Sequence, residues 1–192
     1  MLKTVVVCEA LSKGASLYAA LSREAGIKLC VLVSNNGRLP RRRFIAGMAI
    51  QWLQLPITSK WDMVKLLLSG RLYITLYHLQ DAPTLNWLKK HALDVGLHAS
   101  SVIYKNRLLE CFRLGLLNPH IGILPRYRGR SVMEWSIFYG DATGITTFFI
   151  DEGIDTGPHI VLRKEISVRQ YHDIAEAKSY LFSLDAQMFA EA

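Results

Sequence analysis

Thr4-Val5-Val6-Val7-Cys8 and Leu29-Cys30-Val31-Leu32-Val33 are two unbroken apolar runs, and between them Ser16 to Ala25 sets Leu17, Ala20 and Leu21 on one helical face. A half-exposed strand would alternate apolar with polar residues. These two runs do not alternate, so both of their faces must be covered, as in a parallel sheet flanked by helices. Gly26 ends the helix, and the turn residues Ser34-Asn35-Asn36-Gly37 close the second strand. This β-α-β opening, with its right-handed connection, predicts an α/β fold of three layers around a mostly parallel sheet.

Working outward, Arg38 to Leu79 is apolar and aromatic, with Phe44, Trp52, Trp61 and Leu66 to Leu68 spread through two helices around Pro56. These read as covering helices of the sheet in preference to a basic amphipathic element at a membrane surface or a dimer contact. Leu72 to Leu79 reads as a strand. A helix starts at Asp81-Ala82-Pro83 and runs through Thr84 to His91, and Leu93 to Leu97 is the next strand. Lys105 to Arg113 follows as a helix, and Leu116-Leu117 as a short strand that delivers Asn118. Ser131 to Tyr139 is expected to be helical with Trp135 and Phe138 facing the core. Thr143 to Ile150 and Ile160 to Arg163 are expected to pair as strands, and Tyr171 to Glu191 to form a C-terminal helix.

With 192 residues, 51% hydrophobic and 20% charged, the chain suits one domain spanning residues 1–192 and not a disordered segment. Its three cysteines, Cys8, Cys30 and Cys111, are scattered and form no C-x-x-C pair, which favours buried free thiols in a reducing compartment. No signal-peptide pattern and no membrane-spanning run is legible, so a soluble, cytoplasmic protein is expected. The net charge of +7 is concentrated partly in Arg41-Arg42-Arg43 and partly in Arg126, Arg128 and Arg130. That balance permits anionic partners and selects none of them.

The chemistry-bearing residues lie between Asn118 and Pro158. Asn118-Pro119-His120 is followed by Leu124-Pro125-Arg126-Tyr127-Arg128-Gly129, then Thr143-Gly144-Ile145-Thr146, then Asp151-Glu152-Gly153-Ile154-Asp155-Thr156-Gly157-Pro158. An amide, an imidazole and a carboxylate at strand ends and loops are the groups needed to move a proton and hold an oxyanion at a carbonyl. Taken singly, each is more often a turn residue; taken in order and at this spacing, they point to catalysis. The His and Cys spacings offer no metal set.

These four ordered submotifs resemble the 10-formyltetrahydrofolate-dependent formyltransferases, a family that includes methionyl-tRNA, glycinamide ribonucleotide and amino-sugar N-formyltransferases. The resemblance implies a Rossmann-like formyltransferase fold, transferase activity in one-carbon metabolism, and 10-formyltetrahydrofolate as co-substrate with no metal. It also implies that Asn118 stabilises the oxyanion of the tetrahedral adduct, that His120 handles proton and charge, and that Asp155 tunes His120. A preorganised donor such as the Asn118 amide is typically worth ~3 to 4 kcal/mol. By the same resemblance, the folate pteridine lies against the backbone near Ser101, Val102, Ile103 and Tyr104 and across Asp151, Gly153 and Ile154; Val102 and Ile103 read equally well as the start of a buried helix.

The acceptor is less constrained. Lys13 and Gly14, beside the first helical N–H groups, fall where glycinamide ribonucleotide enzymes carry a phosphate loop, although an exposed loop lysine is the plainer reading. Gly122 stands where the family often has Ser, which implies a different hydrogen bond to the acceptor or a roomier pocket. The expected partners are folate and a small-molecule amine, an amino sugar or a ribonucleotide amine, in preference to tRNA, since no C-terminal barrel follows. A homodimer stays open, and nucleic acid is disfavoured. The rivals are hydrolysis of 10-formyltetrahydrofolate, a methionyl-tRNA formyltransferase-like activity, and a binding relative without chemistry.

Overall fold

The computed structural model describes residues 1–192 except 25, 37, 38, 157 and 158, so the expected helix end at Ala25, the turn glycine Gly37 and the Gly157-Pro158 pair lie outside the described residues. The chain forms two compact units, Met1–Leu116 and Leu117–Ala192.

The first unit carries β1 (Leu2–Cys8), α1 (Leu11–Leu21), β2 (Ile27–Ser34), α2 (Arg41–Gln54), α3 (Ile57–Leu68), β3 (Leu72–Thr75), α4 (Ala82–His91), β4 (Leu93–Ala99), a short α5 (Asn106–Leu109) and the start of β5 (Phe112–His120). β1 pairs in parallel with β2 from Leu2↔Ile27 to Cys8↔Val33 and with β4 from Thr4↔Val95 to Cys8↔Ala99, and β2 pairs in parallel with β3. Val5, Val6, Val7 and Cys8 are completely buried, consecutive residues on both faces, as expected of a central parallel strand. Gly14 lets α1 lie close on this sheet: a Cβ there would come within 2.8 Å of Val31 Cγ1 and 2.9 Å of Cys8 Sγ.

The second unit continues β5 and adds α6 (Val132–Phe138), β6 (Gly144–Phe149), β7 (His159–Glu165), α7 (Ile174–Ser183) and α8 (Asp185–Glu191). β6 pairs antiparallel with the end of β5 and with β7. Its core joins Met133, Ile145, Val168, Ala177, Leu181 and Met188, so the C-terminal helices close over α6 and β6. Asp173 caps α7, its Oδ1 accepting from the N–H groups of Ala175 and Glu176 at 2.5 and 3.0 Å. The strand order is β3-β2-β1-β4-β5-β6-β7. The fold is thus the expected Rossmann-like α/β arrangement, parallel through β3, β2, β1 and β4 and antiparallel through β5, β6 and β7.

Several elements differ from the sequence reading. The expected helix from Lys105 to Arg113 shrinks to one turn, and β5 begins at Phe112, so the Asn118-Pro119-His120 motif rides the end of a nine-residue strand. Trp135 and Phe138 do not face the core: they are 51% and 75% exposed, while Val132, Met133 and Ser136 are buried. Two turns of helix offer one inward face, and the smaller residues occupy it. The expected C-terminal helix is two helices meeting at Leu184. In α2 only Phe44 is buried, so this helix covers far less of the core than expected.

Candidate active site

Asn118 and His120 are two residues apart on β5 and therefore share one face of the strand. Each is fixed by its antiparallel neighbour on β6, Asn118 opposite Phe148 and His120 opposite Thr146. His120 is 7% exposed, and its ring stands edge-on to Phe148 at 6.5 Å between centroids. Its Nε2 lies 2.9 Å from the Tyr127 carbonyl. A carbonyl can only accept, so the ring carries a proton on Nε2. Nδ1 then faces the Asp155 carboxylate, 3.4 Å from Oδ2. A proton taken up on Nδ1 would therefore lie beside a negative charge.

Asp155 is held by the loop it sits on. Its backbone is left-handed, with φ 47°, a conformation that Asp tolerates better than most residues. Its Oδ2 accepts the Gly129 N–H at 3.1 Å, and its Oδ1 is 3.5 Å from the Asn118 amide nitrogen. Gly129 has φ 88°, which only glycine adopts without strain, and this aims its N–H at the carboxylate. Upstream, Asp151 Oδ1 accepts from the Gly153 N–H at 2.9 Å and from the Thr156 hydroxyl. A Cβ on Gly153 would meet Thr156 Cγ2 at 2.3 Å. Asp151 and Gly153 thus build the loop that presents Asp155, while the Ile154 side chain stays 60% exposed.

The segment from His120 to Gly129 is tied down as tightly. Thr146, fully buried on β6, donates its hydroxyl to the Gly122 carbonyl at 2.7 Å and accepts the Leu124 N–H at 3.1 Å. The missing Cβ of Gly122 opens no pocket: the position it would take is 2.7 Å from His120 Nε2 and 2.9 Å from the Tyr127 carbonyl. Tyr127 donates its hydroxyl to Asp141, which also pairs with Arg126 at 2.8 Å, and the bond to this carboxylate pushes the Tyr127 phenol up.

In the first unit, Ser101 to Tyr104 form an irregular segment at the carboxyl end of β4, next to the end of β1, where open α/β sheets hold ligands. Ser101 Oγ donates to Glu9 Oε2 at 3.0 Å. The Gln80 amide braces the backbone from both sides, donating to the Ile103 carbonyl at 3.3 Å and accepting the Lys105 N–H at 3.0 Å. The helix starts only at Asn106, and Ile103 is 65% exposed, so Val102 and Ile103 do not begin a buried helix. Tyr104 is an anchor: its buried hydroxyl is 2.8 Å from His98 Nδ1 and 2.6 Å from Ser100 Oγ. Burial lowers His98 to about 4 and pushes the Tyr104 phenol well up, so both groups stay neutral in this contact. Lys13 and Gly14 lie in the first turn of α1, where the Ser12 N–H already donates to Gln51 Oε1 at 3.1 Å and the Gly14 N–H to the Ala10 carbonyl at 3.1 Å. Among the described residues, no group of three or more His, Cys, Asp or Glu side chains is placed to hold a metal ion.

A family model described as formyl transferase matches residues 81–192. The chain belongs to the formyl transferase family. Methionyl-tRNA formyltransferase of Thermodesulfovibrio yellowstonii is 38% identical over 90 residues, 46% of this chain and 29% of that protein. That of Trichodesmium erythraeum is 44% identical over 84 residues, 43% of this chain and 25% of that protein. The match therefore spans less than a third of these relatives' length. Among solved structures, phosphoribosylglycinamide formyltransferase from Bacillus halodurans superposes with a TM-score of 0.65 at 14% identity, covering 98% of this chain and 92% of that one. A 4-N formyltransferase from Francisella tularensis gives 0.61 at 17% identity, covering 99% and 66%. At such identities the likeness is one of fold.

In this formyl transferase family member, Asn118, His120, Asp155, Gly122 and both expected folate segments lie inside the matched residues, whereas Lys13 and Gly14 lie outside them. Sequence reasoning did not single out the Tyr127 carbonyl, the Gly129 N–H or Asp141 for the jobs they do. The first two are backbone groups, whose direction no side-chain pattern encodes. Asp141 sits in the connection between α6 and β6 and carries no local mark. Glu9 likewise acquires a partner, Ser101, only because β1 and β4 are neighbours in the sheet.

Proposed function

We propose that this chain transfers a formyl group from 10-formyltetrahydrofolate to the primary amine of a small molecule, an amino sugar or a ribonucleotide amine. The observation that carries this reading is the placement of His120 between the Tyr127 carbonyl and the Asp155 carboxylate, with the Asn118 amide on the same face of β5. As the amine lone pair attacks the formyl carbon, negative charge collects on the formyl oxygen, where the Asn118 N–H groups would donate. The proton that leaves the amine passes through His120 Nδ1, beside Asp155, to the folate nitrogen as its bond to the formyl carbon breaks. Within the second unit, backbone groups of 151–154, braced by Asp151, would contact the pteridine.

The test is consumption of 10-formyltetrahydrofolate by the purified protein, alone and with an amino-sugar nucleotide, a ribonucleotide amine or an aminoacylated tRNA. Consumption that requires one of the two small amines supports the reading. Consumption without any amine would make the protein a hydrolase, consumption only with tRNA would overturn the acceptor, and binding without consumption would overturn the chemistry. His120→Asn should abolish turnover and leave folate binding largely intact.

A further inference from the structure

We propose that α2 and α3 form a docking surface for an anionic lipid bilayer. The segment leaves large apolar side chains in solvent: Ile45 is 52% exposed, Ile50 55%, Leu53 74%, Ile57 68%, Trp61 61% and Leu68 83%. They are ordered along the helices: Ile50 and Leu53 are three apart near the end of α2, and Ile57, Trp61 and Leu68 follow a spacing of four and seven along one face of α3. The opposite face of α3 is already occupied, since Ser59, Met63 and Leu66 are buried. The exposed stripe is therefore a second apolar face of the helix, additional to the one that packs on the sheet. Soluble surfaces rarely leave such a run uncovered. The turn between the helices is braced by Lys60 Nζ, which donates to the Leu53 carbonyl at 3.0 Å.

Charge selects the occupant. From Arg41 to Arg71 the segment carries six cationic side chains (Arg41, Arg42, Arg43, Lys60, Lys65 and Arg71) against one carboxylate, Asp62, and α2 has no acidic residue. Arg41, Arg42 and Arg43 are exposed and form no ion pair among the described residues. A second copy of this chain docked on the same face would bring like charges together, which is destabilising. An anionic bilayer offers phosphates to the arginines, acyl chains to Ile50, Leu53 and Ile57, and an interfacial layer to Trp61. The contact lies in the plane of the interface. With 14 and 12 residues the two helices are shorter than the ~20 residues needed to cross a bilayer, and no helix among the described residues is long and apolar enough to do so. This docking is independent of the proposed formyl transfer.

Co-sedimentation of the full chain with vesicles tests it. Binding is expected to vesicles of mixed phosphatidylglycerol and phosphatidylcholine, much less to phosphatidylcholine alone, and to weaken as salt rises from ~0.1 to ~0.5 M. Replacing Arg41, Arg42 and Arg43 together by Gln should cost on the order of a hundredfold in vesicle affinity, about fivefold for each basic side chain near an anionic surface. Leu53→Glu combined with Trp61→Glu should abolish binding while circular dichroism and the melting temperature stay as in the parent, since both side chains stand in solvent. The proposal is overturned if the parent protein does not bind anionic vesicles, or if either variant binds them as the parent does. It is also overturned if light scattering shows a dimer that the double variant dissolves while vesicles capture nothing, because the occupant would then be a second copy.

Discussion

Replacing Asp155 by Asn removes one negative charge and one of its two acceptor oxygens, the one 3.5 Å from the Asn118 amide nitrogen. Asn tolerates the left-handed backbone at this position, φ 47°, and its amide oxygen can still accept the Gly129 N–H now bonded at 3.1 Å. What is lost is the attraction between the carboxylate and a proton arriving on His120 Nδ1, 3.4 Å away. At an effective dielectric constant of ~20 that attraction is at most about 5 kcal/mol. The Asp155 side chain is 19% exposed, and water screens part of the field, so roughly half of this ceiling is the working figure. A loss of about 2.5 kcal/mol from the transition state corresponds to roughly a hundredfold in kcat. The assay is consumption of 10-formyltetrahydrofolate with the acceptor saturating, read for kcat and for the folate KM separately. We expect kcat to fall about a hundredfold, the folate KM to stay within about threefold, and the melting temperature to move by only a few degrees. Activity within about threefold of the parent would refute the reasoning, as would a loss carried wholly by KM, because Asp155 would then serve binding and not proton transfer.

Gly144→Ala should cost ~3 kcal/mol or more in urea unfolding, since its Cβ would fall 2.1 Å from the Lys164 carbonyl and 3.0 Å from Glu165 Cα, both backbone atoms that cannot give way without parting β6 from β7. Gly47→Ala in α2 meets nothing within 4 Å and should instead stabilise by ~1 kcal/mol in the same measurement. Acid should weaken the fold through His98, whose folded value of about 4 lies below its ordinary 6.5: the unfolded chain takes up the proton first, so this contribution is whole above pH 6.5 and drains away as pH falls toward 4. The full shift corresponds to about 3 kcal/mol, less for a half-buried ring, and urea titrations of the parent and His98→Gln at pH 7 and 4.5 should show a shallower pH dependence in the variant. The Cys8 thiol, pushed up to about 12 mainly by burial, should resist iodoacetamide at pH 8 in the folded protein and react once urea unfolds it, as mass spectrometry would show.

The parts legible in the sequence are those that local pattern encodes. Val5 to Val7 and Leu29 to Val33 declare strands buried on both faces because nothing in them alternates. The submotifs from Asn118 to Asp155 could be ordered along the chain, and the i and i+2 spacing of Asn118 and His120 places both on one face of any strand that carries them. Reading failed where an inward face had to be chosen. The sequence reading turns Trp135 and Phe138 toward the core, yet in this seven-residue helix Val132 and Met133 take the inward face. It failed again at Lys105 to Arg113, where helical propensity over a few residues lost to strand pairing from Phe112 onward.

The sequence by itself determined the α/β class, the family and the identity of the proposed trio, because burial periodicity and side-chain chemistry are properties of the chain. Only the tertiary structure decided that His120 is gripped between the Tyr127 carbonyl and Asp155, that Gly129 turns its N–H onto that carboxylate, and that the space beside Gly122 is filled by the imidazole. It also decided that much of α2 and one face of α3 stay in solvent. The physical reason is common to all of these. Each depends on where backbone carbonyls and N–H groups point, and on which of several apolar faces finds a neighbour, and such directions exist only once distant strands have paired.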